Sequence, residues 1–154
     1  MKTKILLSAC FLLLLFTKSN AQTQASMLQS KDSQLAKNKR LVYDFWRVVF
    51  EGGHLDKAPD YMLETYIQHN PNVPTGRKAF VDFFSKFAAA RPVADTIKAP
   101  LIAIIADGDL VTLVFKQTYP EPKDPTKTYT STWFDMLRIE NGKLAEHWDP
   151  AVKQ

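Results

Sequence analysis

Two short stretches of this chain concentrate the side chains that move protons. Tyr66-Ile67-Gln68-His69-Asn70-Pro71 lies in mid-chain, and Glu146-His147-Trp148-Asp149 lies near the C-terminus. Together they hold two of the three histidines, a pair of amides, carboxylates and a tryptophan. His147 and Asp149, two positions apart, make a proton-handling pair. A carboxylate beside an imidazole raises the imidazole pKa and fixes its tautomer. An aspartate against apolar walls is itself pushed toward working pH and can act as a base. The amides of Gln68 and Asn70, with Tyr66 and His69, supply donors able to hold an enolate or carbonyl oxygen.

Each of these residues also has a plainer reading. His147 and Asp149 could close a strand at the surface, and Asn70-Pro71 could be a turn in which Asn70 serves only its own backbone. Within its segment His69 is the stronger functional candidate. His54, after Gly52-Gly53, reads as a helix-cap or solvent residue. Asp135 stands in an otherwise apolar strand and needs a partner if buried. Trp133 and Trp148 either pack the core or wall a pocket. No G-x-x-x-x-G-K, G-x-G-x-x-G, G-x-S-x-G or H-E-x-x-H motif is present, and there is no cysteine pair. His69, His147 and Asp149 have the composition of a two-histidine, one-carboxylate iron site. Nothing in their spacing requires a metal, and none is expected.

The elements that must position these groups follow from periodicity. Ser33 can cap a helix over residues 34–51, where Leu35, Leu41, Val42, Phe45, Trp46, Val49 and Phe50 share a face. Gly52-Gly53 stops it. A short helix is expected near 56–63, with Pro59 in its first turn, then an extended segment over 66–69. Alternation there puts Tyr66 and Gln68 on one side and Ile67 and His69 on the other. Thr75 can cap a third helix over 76–90, whose Phe80, Phe83, Phe84 and Phe87 form a stripe best read as core packing. Strands follow at 96–106 and 110–119, with Pro100 marking an edge or bulge. A stiff loop is expected through Pro120, Pro122 and Pro125, then a strand at 129–139. Asn141-Gly142 is a type I′ hairpin signal, with 143–149 returning antiparallel. An unbroken register puts Asp135, Leu137, Glu146 and Trp148 on one face and Met136, His147 and Asp149 on the other. A one-residue bulge would exchange part of that assignment, so the partnership of His147 with Asp149 is firmer than the side they face. Helices first and antiparallel strands after define an α+β fold, with helices packed on one face of a curved sheet.

The first residues read as an address rather than as fold. Lys2 and Lys4 precede an apolar run from Ile5 to Phe16, and Ser19-Asn20-Ala21 offers small residues for cleavage. Residues 1–21 are therefore expected to be a secretory signal peptide, 22–33 a flexible leader, and 34–154 the domain. Cleavage after Ala21 is favoured over lipidation at Cys10. The apolar run, about twelve residues, is short of the roughly 20 a helix needs to span a bilayer. The chain has 20 basic and 16 acidic residues, and loss of Lys2, Lys4 and Lys18 leaves 17 against 16. A near-neutral mature chain argues against nucleic-acid binding. Loss of Cys10 leaves no thiol, so stability must come from the core, which ten phenylalanines and three tryptophans can supply. The expected location is the periplasm or the exterior.

The order of motifs also resembles a known family. A helix ending in G-G, then Y-I-Q-H-N-P, T-G-R-K-A-F-x-x-F-F, A-D-G-D-L-V and F-D-M-L-R-I-E-N-G-K-L-A-E-H-W-D, is similar to SnoaL-like polyketide cyclases of the nuclear transport factor 2-like superfamily. It is close to the branch described as predicted SnoaL-like aldol condensation-catalysing enzymes. The resemblance runs from about Gln34 to the C-terminus. It implies a cone-shaped α+β barrel, a deep apolar pocket, no cofactor and a homodimer through the sheet. It also implies that an aspartate near the domain end handles a substrate proton: Asp149, with His69, Gln68 and Asn70 as helpers and His147 and Asp135 behind them. The expected function is an exported, cofactor-free aldol cyclase, isomerase or lyase acting on a small apolar carbonyl compound. Export makes a polyketide substrate the less natural choice. The alternatives are a non-catalytic binder of a small hydrophobic ligand in the same pocket, and a dimeric interaction module whose cavity is filled by its own side chains.

Overall fold

The computed structural model describes residues 23–154. The expected signal peptide lies outside the described residues. The segment expected to be a loose leader is instead docked. Thr23 caps a short helix, α1 (Gln24–Met27), and Met27 and Leu28 are buried in the core. Gln24 Nε2 donates to Ile97 O, while its Oε1 accepts from Ile97 N–H and from the Tyr43 hydroxyl. A polar side chain that closes three bonds at once explains why an aperiodic, polar sequence here is ordered.

α2 (Ser33–Phe45) starts one residue earlier than expected, because the cap is Asp32. Its Oδ1 accepts from Gln34 N–H at 2.7 Å and Leu35 N–H at 3.2 Å. The expected helix to residue 51 is present in two windings: after Phe45 the chain widens into a π-helical stretch, Trp46–Glu51, which ends at Gly52. Such stretches cluster at functional sites because they re-aim side chains within a helix. A 3₁₀ turn (Leu55–Lys57) and α3 (Ala58–Tyr61, Pro59 in its first turn) lead into β1 (Met62–Gln68). The third helix, α4 (Arg77–Phe84), is shorter than the sequence suggested. Gly76 rather than Thr75 is its cap, because the Thr75 hydroxyl bonds the Gln68 backbone instead. Phe87, past the end of α4, is 75% exposed, so the phenylalanine stripe is buried only through its first members.

β2 (Leu101–Asp107), β3 (Leu110–Glu121), β4 (Asp124–Glu140) and β5 (Lys143–Trp148) complete a five-stranded sheet of order β1-β5-β4-β3-β2. β1 pairs parallel to β5, and the other neighbours are antiparallel. The sheet is curved and does not close on itself; β1 and β2 are its edges. The proline-rich segment is not a loop. β3 and β4 continue through Pro120 and Pro125 to a tight turn. Proline is tolerated there because β5 reaches β4 only from Met136 onward and β2 reaches β3 only as far as Phe115, so both outer edges of the distal ribbon are free. The helices fill the concave face. Val42 and Val49 meet Met62, Leu113, Phe115, Leu137 and Leu144, all essentially inaccessible. Each contributes about 1.5–3 kcal/mol by leaving water, which suits a core that must hold the fold without a disulfide. Among the described residues no helix is long and apolar enough to cross a membrane.

Candidate functional site

A cavity of about 360 Å³ opens between the helices and the concave sheet face. Its walls are aromatic. The π-helical stretch brings the Trp46 and Phe50 rings to 4.5 Å from each other, and Trp46 lies 4.8 Å from Phe115 of β3. Phe80, Phe83 and Phe84 of α4 close one side, and Trp133 of β4 another. The floor is polar and collects Tyr66, Gln68, Asn70, Asp135, His147 and Asp149. Six of the nine residues singled out from the sequence for catalysis or binding thus converge there, joined at the wall by Trp133.

The last hairpin explains how. Glu140 pairs with Lys143 and Ile139 with Leu144, as an Asn141-Gly142 turn dictates. Arg138 then pairs with Glu146 rather than Ala145, so β5 carries one extra residue. This bulge buries both Leu144 and Ala145 and reverses every facing beyond it. His147 comes opposite Leu137 and turns inward beside Asp135; Glu146 and Trp148 turn outward. The unbroken register expected from the sequence is corrected accordingly.

His69 and Trp148 are therefore not in the cavity. The alternation Tyr66/Gln68 inward and Ile67/His69 outward holds, and His69 lies on the convex face. There its ring stacks on Trp148 at 4.5 Å and 4°, and its Nε2 sits 2.7 Å from Glu146 Oε2. Arg138 Nε donates to the other Glu146 oxygen at 2.7 Å. These partners, His69 first, hold the Glu146 carboxyl below its ordinary value. The expected meeting of His69 with Asp149 does not occur, and neither does the iron-type set that required His69. His54 is a connector, its Nε2 2.8 Å from Arg91 O.

Inside the cavity one hydrogen-bond chain orders the floor. Gln68 Oε1 accepts from the Asn70 backbone N–H at 3.0 Å. A backbone N–H can only donate, so this contact fixes the amide orientation. The same oxygen lies 2.8 Å from His147 Nδ1, which must therefore carry a proton. Gln68 Nε2 donates to the Tyr66 hydroxyl oxygen at 3.3 Å, consistent with that orientation. His147 Nε2 is 2.9 Å from Asp135 Oδ1, so one proton lies between them. Burial pushes the Asp135 carboxyl up; His147 and Trp133 pull it down, and Asp149 adds to the rise. Asp135 Oδ2 is buried without a hydrogen-bond partner. Burial, then the charges of Asp135 and Asp149, push the Tyr66 phenol far up, so it stays protonated and able to donate.

Asn70 does two things that the sequence offered as alternatives. Its Oδ1 accepts from Asn72 N–H in a local turn, and its Nδ2 donates to Asp149 Oδ2 at 2.7 Å. Asp149 Oδ1 accepts from Ala151 N–H at 2.9 Å, and its Oδ2 lies 4.0 Å from His147 Nδ1. Asp135, His147 and Asp149 offer ligand-type atoms all within 4.8 Å of one another, the set through which a cation could be held. Their hydrogen bonds to one another, to Gln68, to Asn70 and to Ala151 already account for the cluster. Gln117 of β3 also lines the cavity and was not singled out. The available signal was alternation, since Leu113, Phe115 and Gln117 share a face of β3.

A helix-filled, curved α+β sheet with a pocket on its concave face defines the class of nuclear transport factor 2-like proteins. Residues 42–147 match the SnoaL-like domain, and the chain belongs to that family. Solved structures agree in fold. A candidate polyketide cyclase from Acidithiobacillus ferrooxidans is 20% identical, with a TM-score of 0.55 over 79% of this chain and 89% of that one. A candidate SnoaL-like polyketide cyclase from Jannaschia sp. CCS1 is 14% identical, with a TM-score of 0.54 over 79% and 91%. An NTF2-like protein of unknown function from Mesorhizobium loti is 18% identical, with a TM-score of 0.53 over 81% and 98%. No curated protein matches the chain in sequence.

Proposed function

We propose that this protein is a small-molecule enzyme that works by acid/base chemistry without a cofactor, on a small apolar carbonyl compound. The reaction class is aldol condensation or cyclisation, isomerisation or lyase chemistry, all of which begin with loss of a proton alpha to a carbonyl. Asp149 takes that proton, the C–H electron pair moves onto the carbonyl oxygen, and the Tyr66 hydroxyl donates to the enolate oxygen so formed. The Asp135–His147 pair returns a proton to the product and regains one from Asp149, whose Oδ2 lies 4.0 Å from His147 Nδ1, so each group ends the cycle as it began. The observation that carries this reading is the chain Asp135–His147–Gln68 set beside Asp149 at the bottom of an aromatic cavity. A plain ligand binder has no need to gather an acid, a base and a hydroxyl donor there.

Export after cleavage near Ala21 and a homodimer through the convex sheet face belong to the same proposal. N-terminal sequencing of the native protein tests the first. The catalytic reading is tested by NMR, following hydrogen–deuterium exchange alpha to the carbonyl in a panel of cyclic and aryl ketones. The intact protein accelerates exchange of at least one, and Asp149→Asn removes about 10²–10⁴-fold of that rate with the fold retained. Unchanged exchange in Asp149→Asn removes Asp149 from the mechanism.

A further inference from the structure

We propose that the cavity is built for a small organic cation, a protonated or quaternary amine on an aromatic or alicyclic body, with its charge seated against Asp149. This rests on reading the cavity as a small-molecule site and deepens that reading by naming the charge of the ligand.

The argument begins with the charges in the lining. Asp135, Asp149 and His147 face the cavity, and among the described residues no lysine or arginine does. The amide of Gln68 keeps a proton on His147 Nδ1, so Asp135 and His147 share one further proton across their 2.9 Å contact. Wherever that proton rests, the pair sums to zero charge. The uncompensated group is Asp149.

The Asp149 side chain is only 6% exposed. Its hydrogen-bond donors, Asn70 Nδ2 and Ala151 N–H, are both neutral. The one cationic candidate within ion-pair range among the described residues is His147 Nδ1 at 4.0 Å, and its proton is already committed to Gln68 Oε1. A carboxylate drawn this far from water ordinarily has a counter-charge, because neutral donors offset only part of the lost hydration. Here the protein does not supply it.

The walls suit the same guest. Trp46, Phe50, Phe115 and Trp133 surround the cavity, and aromatic faces attract cations through the ring quadrupole, indole most strongly. An anion meets the opposite: a like charge at Asp149, negative ring faces and, among the described residues, no lysine or arginine. Carboxylates and phosphate-bearing compounds are excluded on both counts.

The test is calorimetric titration with three probes of one shape: phenethylammonium, 2-phenylethanol and phenylacetate. The ammonium binds at least tenfold more tightly than the alcohol, and phenylacetate gives no binding. Asp149→Asn lowers the ammonium to the level of the alcohol, with an unchanged circular dichroism spectrum showing that the variant is folded. Gln117→Lys, which places a cation in the lining, weakens the ammonium and admits phenylacetate. Equal binding of ammonium and alcohol, tighter binding of phenylacetate, or no binding of the ammonium up to its solubility overturns the proposal. Loss of cation preference alongside an Asp149-dependent ketone exchange overturns this inference and leaves the enzymatic reading standing. A cation preference without any exchange does the reverse.

Discussion

His147 Nε2 lies 2.9 Å from Asp135 Oδ1 because β5 carries one residue more than β4 between Leu144 and Glu146. With an unbroken ladder, His147 would point to the convex face and Trp148 would occupy the cavity. Asp135 would then be buried without the imidazole that it bonds. One extra residue in a hairpin decides which imidazole, 69 or 147, can take part in chemistry.

That contact has a measurable energetic consequence. Replacing His147 with Ala leaves Asp135 buried and unpaired, a change that costs about 3–5 kcal/mol in comparable buried pairs. Replacing both, as Asp135→Leu with His147→Ala, removes the stranded group and recovers most of the loss. Urea denaturation of the two single variants and the double variant measures the coupling. Additive losses would show that the pair is not coupled.

Asp135 also sets a pH dependence. Burial raises its folded pKa above the ordinary 3.8, so above that pH the folded chain still holds a proton that the unfolded chain has released. Where the folded state binds more protons, stability falls as pH rises. The contribution is fully present below the unfolded value and is lost as pH climbs through the folded one. Asp135→Asn cannot titrate, so its stability is flatter across that window than that of the parent chain. Thermal melts at a series of pH values check this, and parallel profiles would contradict it.

The sequence made some of this legible and hid the rest for physical reasons. Tyr66, Gln68 and Asn70 were readable as pocket donors, because strand alternation is local and Pro71 marks its end. The Asn141-Gly142 turn was readable because its backbone demands those residues; Asn141 and Gly142 have φ of 52° and 72°. The bulge was not, since nothing local distinguishes Leu144-Ala145 as two residues facing one partner. The Asp135–His147 pair and the exclusion of His69 were lost with it. Thr75 looked like a cap, but it bonds Gln68 across a turn, a competition that only tertiary structure resolves. The three prolines at 120–125 looked like a loop, because their tolerance depends on how far β2 and β5 extend along the ribbon.

Gly53 is predicted to be the least replaceable glycine for stability. It has φ +70°, and a Cβ there would lie 2.5 Å from the Ala89 carbonyl oxygen. The loop after the π-helical stretch packs directly on the chain leaving α4, and Arg91 N–H donates to Gly52 O close by. Gly142 has φ +72° but open space around it. Gly142→Ala therefore bears only the backbone strain of about 1 kcal/mol, whereas Gly53→Ala adds a backbone clash and costs about 2–3 kcal/mol in all. Denaturant midpoints of the two variants should differ in that order. Equal losses would mean that the loop shifts freely to admit the methyl group.

The convex face carries the proposed dimer. Ile67, Ile105 and Phe134 are 41%, 59% and 46% exposed on it. The His69–Trp148 stack and the Arg138–Glu146 pair lie on the same face, with Ile67 opposite Glu146. An apolar surface of this kind, set among satisfied polar groups, has the make-up of an interface between copies rather than of a solvated sheet. Phe134 lies opposite Val114 of β3 and points away from the cavity. Phe134→Glu should therefore convert a dimer to a monomer in sedimentation velocity, with ketone exchange and ammonium binding retained, because the substitution touches no group on the cavity floor. A parent chain that sediments as a monomer at every concentration tested would end the dimer proposal and leave the site untouched.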